Sequence, residues 1–175
     1  AITKVGAGDA GFDFTKISAT GQPLAANATE WSCVRDYHTG LMWEVKTDDS
    51  GTRDKDNTYT WYNPDTTNNG GTVGYENGGN NTHAFAQAVN DQKLCGFTNW
   101  RLPTKQELHS IVNYGKYNPA IDSAYFPNTQ SSWYWSSSPV ANYSSYAWIV
   151  YFGDGYDSYN YKGGNDYVRL VRSGQ

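Results

Sequence analysis

Between Asn142 and Tyr167, twenty of twenty-six positions are Asn, Tyr, Ser, Asp or Gly. A stretch so poor in aliphatic side chains cannot offset the entropy of ordering its own backbone, so it must either stay disordered or be laid over a frame built elsewhere. The interruptions favour the frame. Ala147, Trp148, Ile149, Val150 and Phe152 break the polar run, and Val168 and Leu170 follow it. Trp148, Val150 and Phe152, like Val168 and Leu170, recur at period two, the spacing of one face of a β-strand. The sequence therefore predicts strands whose buried residues include Trp135, Trp148, Val150, Phe152, Val168 and Leu170.

What such strands would display is nearly the composition of an antibody paratope. There Tyr offers a broad, rigid, amphipathic contact at low entropic cost, and Ser, Gly and Asn adapt around it. The expected binding residues are Asn142, Tyr143, Ser144, Ser145, Tyr146, Tyr151, Asp154, Tyr156, Asp157, Ser158, Tyr159, Asn160, Tyr161, Asn165, Asp166 and Tyr167. The alphabet also has a codon-level reading. Substitution confined to the adenines of an Asn codon, AAC or AAT, yields Tyr, Asp, Ser and Gly among its simplest products.

The length of 175 residues suits one domain, with the narrow-alphabet segment at about 142–167 as part of it. Only 38% of residues are apolar, yet 16% are aromatic, so the core is expected to rest on a few large rings. Upstream, Phe12, Phe14 and Ile17 suggest an edge strand ending at the Gly21–Pro23 turn, and Leu41–Lys46 a second strand. Asn63–Asn81, rich in Gly, Asn and Thr, is expected to be a long surface loop. Two helices are predicted. The first spans about Thr82–Lys93, with Phe85, Ala88, Val89 and Leu94 near one face and Gly96 ending it. The second starts at a capping box of Thr104 and Glu107, carries a stripe of Leu108, Ile111 and Val112, and stops at Gly115. Helices in the middle and strands at the end imply an α+β fold.

Several chemistries are disfavoured. A net charge of −4 argues against nucleic acid, whose phosphates call for clustered Lys and Arg. No run approaches the roughly 18 apolar residues of a membrane span, and no signal-like h-region opens the chain, which starts at Ala1. Gly6, Gly8 and Gly11 spell G-x-G-x-x-G, but Phe12, Asp13, Phe14 and Thr15 do not start the helix a dinucleotide needs. His38, His83 and His109 lack zinc-ligand spacing. Ser131–Ser138 has no nearby His base, so Trp135 and the serines after it are expected to be a buried aromatic with backbone-bonding hydroxyls. No enzymatic activity, metal or other cofactor is therefore expected, with one alternative left open. The acidic loop of Asp48, Asp49, Asp54 and Asp56 could be a solvated turn or could offer oxygens to calcium, which takes about six to eight of them. Cys33 and Cys95 are the only cysteines; a single disulfide is the leading expectation and two buried thiols the alternative.

Thr39-Gly40-Leu41-Met42-Trp43, Arg53 to Trp61, Cys95-Gly96, Asn99-Trp100-Arg101-Leu102-Pro103-Thr104 with Glu107 and Leu108, Trp135-Ser136-Ser137-Ser138, and Val168-Arg169-Leu170-Val171-Arg172 together resemble the Lcl C-terminal domain family. The resemblance runs from about Thr29 onward. It implies a C-type lectin-like fold, two helices packed on a twisted antiparallel sheet with long loops. It also implies an adhesive role outside the cell, at a cell surface or on a phage particle, towards a protein, cell-surface or glycan ligand, with trimers as a family precedent. The narrow alphabet and the closing Val-Arg-Leu-Val-Arg-Ser-Gly-Gln are similar to the variable proteins of diversity-generating retroelements. The alternative is a fixed glycan- or glycosaminoglycan-binding adhesin, although a sulfate-binding surface should be basic and the narrow-alphabet segment holds Lys162 alone. Formylglycine-generating enzymes of related fold use a reactive cysteine pair, whereas neither cysteine here sits in an electropositive setting.

Overall fold

The computed structural model describes residues 3–174; Ala1, Ile2 and Gln175, the ends of the expected single domain, lie outside the described residues. Four strands, β1 (Phe14–Ile17), β2 (Cys33–Asp36), β3 (Leu41–Glu44) and β7 (Val171–Ser173), form one antiparallel sheet in the order β1-β2-β3-β7. Three more, β4 (Trp133–Val140), β5 (Tyr143–Tyr151) and β6 (Asp157–Tyr161), form a second antiparallel sheet in chain order. The α+β expectation holds, but with two sheets instead of one. A parallel bridge between Tyr134 and Tyr167 joins the last strands to the segment that leads into β7.

The four-stranded sheet is buried on both faces. Phe14, Val34 and Trp43 enter one core cluster, while their neighbours Ile17, Cys33 and Met42 enter the other. Strand β5 does the same, with Val150 in the first cluster and Ala147 and Ile149 in the second. Large rings fill both, as the composition implied: Trp43, Trp61 and Trp135 are fully buried. Two of their three indole N–H groups are hydrogen-bonded, and that of Trp43 is buried without a hydrogen-bond partner. Trp61 Nε1 donates to Ser136 O at 2.9 Å and Trp135 Nε1 to Tyr59 O at 2.7 Å.

Helix α1 covers Thr82–Asp91, opened by Asn81, whose side chain accepts from Ala84 N at 2.9 Å. It stops earlier than predicted because Lys93 takes a left-handed conformation with φ 52°. Helix α2 covers only Lys105–His109, behind the predicted Thr104–Glu107 capping box. Its apolar stripe is buried as expected, but Ile111 and Val112 lie past the helix end. There the backbone tightens to i→i+3 bonds, Ile111 N to Leu108 O and Val112 N to His109 O, and Ser110 Oγ donates to Glu107 O at 2.6 Å. Val168 and Leu170 are buried yet outside a strand, since β7 begins one residue later.

The Trp100–Thr104 motif splices these pieces together. Asn90 of α1 accepts from Trp100 N at 2.7 Å and donates to Trp100 O at 2.9 Å. Arg101 pairs its backbone with Val171 and forks its guanidinium onto Glu107 at 2.6 and 2.8 Å. The carboxylate that caps α2 thus also holds Arg101.

Three buried features bind distant segments. Cys33 of β2 is disulfide-bonded to Cys95, just beyond α1, across 62 positions. Glu44 is fully buried; Oε1 receives Lys46 Nζ at 3.1 Å, Oε2 receives Leu170 N at 2.9 Å, and Arg169 donates to the Glu44 carbonyl at 2.7 Å. Lys162 is fully buried at the end of β6, where Nζ donates to Asn69 O at 2.8 Å and Thr72 O at 2.7 Å and lies 4.2 Å from the Trp61 ring centre. That ammonium ties the long loop 63–81 to β6, while Tyr75 N donates to Trp61 O and Thr60 Oγ1 to Tyr75 O. The loop approaches so closely that Gly74, at φ 89°, lies where any Cβ would strike the Trp61 carbonyl.

Replacing Cys33 and Cys95 together by Ala should lower unfolding free energy by about 4 kcal/mol on the chain-entropy account, as denaturant titration with and without reductant would show. Glu44→Ala leaves the buried Lys46 without its carboxylate and removes the negative charge beside Arg169, so a loss of about 3–5 kcal/mol is expected in the same assay; a loss below about 1 kcal/mol would contradict the network's role. Burial pulls the Lys162 ammonium down to about 8 from its usual 10.5. The unfolded chain therefore holds more protons between those values, and this residue's contribution to stability should rise as pH climbs through that window. A Lys162→Met variant should lack that rise when stability is measured across the window.

Candidate functional site

Strands β5 and β6 pair Tyr146 with Tyr161 and Trp148 with Tyr159, which sets four large rings on one side of the sheet. Tyr143, beside the bulged start of β5, completes the group. The rings contact one another edge to face: Tyr143 and Tyr146 at 6.3 Å, Tyr146 and Tyr159 at 5.8 Å, Tyr146 and Tyr161 at 5.9 Å, Trp148 and Tyr159 at 5.8 Å. Tyr143 is 61% exposed and Tyr159 51% exposed. This is a continuous aromatic surface open to solvent, the arrangement in which Tyr supplies contact area without a mobile side chain.

Two neighbours outside the narrow-alphabet segment extend it. Tyr75, from the loop pinned by Lys162, hydrogen-bonds hydroxyl to hydroxyl with Tyr161, their rings 5.3 Å apart. From α2, Lys105 Nζ stands 3.7 Å above the Trp148 ring and 3.0 Å from Asp157. His109 Nε2 reaches the same carboxylate at 3.3 Å. The Lys105 hydrogen bond, with that of His109 behind it, holds the Asp157 carboxyl below the usual carboxylate range.

The remaining expected site residues divide by position. Asn142, at φ 68° in the tight β4–β5 turn, and Ser144 are exposed at one end, with Ser145 half-buried beside them. Asp154 and Tyr156 are exposed at the opposite end, near Tyr114 and away from the aromatic surface. Ser158 and Asn160 are half-buried on β6, and Asn165 is exposed in the turn after it. Tyr151 leans on Trp133 at 4.9 Å, and Tyr167 packs into the first core cluster beside Tyr134.

Two burial expectations are corrected. Asp166 is not displayed: it is buried, bridges Tyr59 through the backbone, and accepts from Asn160 Nδ2 at 2.8 Å, with burial raising its carboxyl. Trp148 is not core: it is half-buried and belongs to the aromatic surface. Both sides of β5 carry buried residues, so period two marks two faces without telling which stays covered. Val150 lies in the core, whereas Trp148, two residues earlier on the strand, meets the edge of Tyr159 and the ammonium of Lys105. Tyr75 was beyond sequence reasoning altogether, because nothing in a Gly- and Asn-rich loop marks where it folds back.

The other candidates have structural employment. Gly6, Gly8 and Gly11 precede β1, and Ala7 bridges Phe14. In the acidic loop, Asp54 accepts from the backbone N–H of Asp49, Ser50 and Asp56 at 2.6–2.9 Å, and these bonds, that from Asp56 foremost, lower its carboxyl. Asp49 accepts from Thr47 and Gly51. Ser136 Oγ donates to Trp148 O at 2.8 Å, the backbone-bonding role expected of that serine. Among the described residues no helix is long and apolar enough to cross a membrane.

No curated protein and no solved structure matches the chain. A family model described as the Lcl C-terminal domain matches residues 32–172, well over half of its length. The chain therefore belongs to the Lcl C-terminal domain family.

Proposed function

We propose that this chain is a non-enzymatic, extracellular binding domain of C-type lectin-like fold whose aromatic surface on β5 and β6 is diversified by a retroelement and contacts a protein or cell-surface ligand. The observation that carries the reading is a division of labour inside one segment. Tyr143, Tyr146, Tyr159 and Tyr161 reach solvent, while the interspersed Ala147, Ile149, Val150 and Phe152 are buried. Side chains on the outer surface can change while the frame keeps its packing, which is what a variable binding face needs.

Family membership supports a ligand-binding, adhesin-like role. Two helices set beside antiparallel sheets, a long excursion between β3 and α1, and first and last strands sharing one sheet support the C-type lectin-like arrangement. The disulfide suits an oxidising compartment, a cell surface or a phage particle. The family precedent extends to trimers.

Sequencing the coding region and its flanks tests diversification directly. The expected result is a near-identical template repeat beside a reverse transcriptase gene, with codon differences between Asn142 and Tyr167 confined to template adenines. Differences spread over all four bases, or no template at all, would remove the retroelement and leave a fixed adhesin. Independently, changing Tyr143, Tyr146, Tyr159 and Tyr161 together to Ser should alter unfolding free energy by only about 1–2 kcal/mol. A collapse of the fold would show that these rings are scaffold.

A further inference from the structure

A second concavity lies between α1, the Trp100–Thr104 strap, the loop 63–81 and the serines of β4. Its volume is about 570 Å³, inside the range of about 300–1,000 Å³ in which small ligands are held. None of its lining residues falls between Asn142 and Tyr167. On the proposed reading, changes confined to that segment leave the lining of this cleft as it is.

Its chemistry is specific. Tyr62 and Leu102 give it apolar walls, with the edges of Trp61 and Trp100 beneath. Three polar side chains at the lining are without a hydrogen-bond partner: the imidazole of His83, the amide of Gln87 and the hydroxyl of Ser137. His83 makes only an edge contact with Tyr62, at 6.1 Å. Between them these groups both donate and accept, and no carboxylate lines the cleft. Its one permanent cation, Arg101, is forked onto Glu107 and so is not available to an anion.

We infer that this cleft is a fixed binding site for a small, uncharged, polyhydroxylated ring, a neutral monosaccharide or disaccharide. A ring of that kind presents an apolar face that suits Tyr62 and Leu102, and hydroxyls that complement an imidazole, an amide and a hydroxyl together. A sulfated or carboxylated ligand would find no free cation, and a purely apolar one would bury the three polar groups without partners. The site requires no metal and does not depend on the aromatic surface.

The test is a titration of the intact domain with a panel of neutral mono- and disaccharides and one sulfated disaccharide, followed by nitrogen-resolved NMR of the indole and backbone N–H groups. The expected result is saturable movement at Trp61, Trp100 and the α1 residues 83–87 with at least one neutral sugar, and none there with the sulfated one. His83→Ala and Gln87→Ala should each weaken that binding by up to about tenfold, the loss of one hydrogen bond. Tyr159→Ser should leave it unchanged, so failure of the cleft is distinguishable from failure of the aromatic surface. Silence with every neutral sugar, or movement sensitive to Tyr159 but not to His83, would overturn the assignment.

Discussion

Glu44 sits where β3 meets the segment that leads into β7, and among the described residues its carboxylate is the acidic group that offsets the two cations buried there. Its two oxygens take Lys46 from its own segment and the backbone of Leu170 from the last one, while its carbonyl takes Arg169. Two cations without that acid would leave the seam carrying net buried charge, which low-dielectric surroundings penalise heavily. With it, β3 and the segment leading into β7 are held in one register, and β7 can pair beside β3. Burial lowers the Lys46 ammonium and Glu44 pulls it back, so the pair is a geometric lock more than a large source of stability.

Lys162 repeats the device at the other sheet with backbone carbonyls in place of a carboxylate. Its ammonium links β6, which carries the aromatic surface, to the loop that supplies Tyr75 to that surface and walls the second cleft. A residue inside the narrow-alphabet segment is therefore structural. Its burial places Lys162 in the frame, alongside the buried Asp166 that stays tied to Asn160.

Much of this architecture was legible in the sequence because it rests on local rules. The Thr104–Glu107 capping box, the edge position of β1 and the β3 segment follow from turn chemistry and short-range pattern, and the cysteine pair from its even count. What could not be read depended on tertiary coverage. Period two identified β5 but could not say that Trp148 would lack a cover, because that depends on where a five-residue helix ends. Asp166 was expected at the surface, and the burial of Glu44, Lys46 and Arg169 was not foreseen, since a buried charge leaves no trace in sequence until its partner, up to 126 positions away, is known.

The division between frame and face also bounds what substitution can do. On β5 and β6 the exposed rings occupy one side of a sheet whose opposite side carries Ala147 and Ile149, packed in one cluster with Trp135. A change at Tyr146, Tyr159 or Tyr161 alters shape and hydrogen bonding at the surface without opening a cavity, so its effect on folding stays small while its effect on recognition is large. A change at Asp166 or Lys162 has the opposite balance, because the groups they satisfy would be left buried. The usable recognition surface is thus smaller than the narrow-alphabet segment. It is also larger in one direction, since Tyr75 and Lys105 lie outside that segment yet border every ligand the rings could meet.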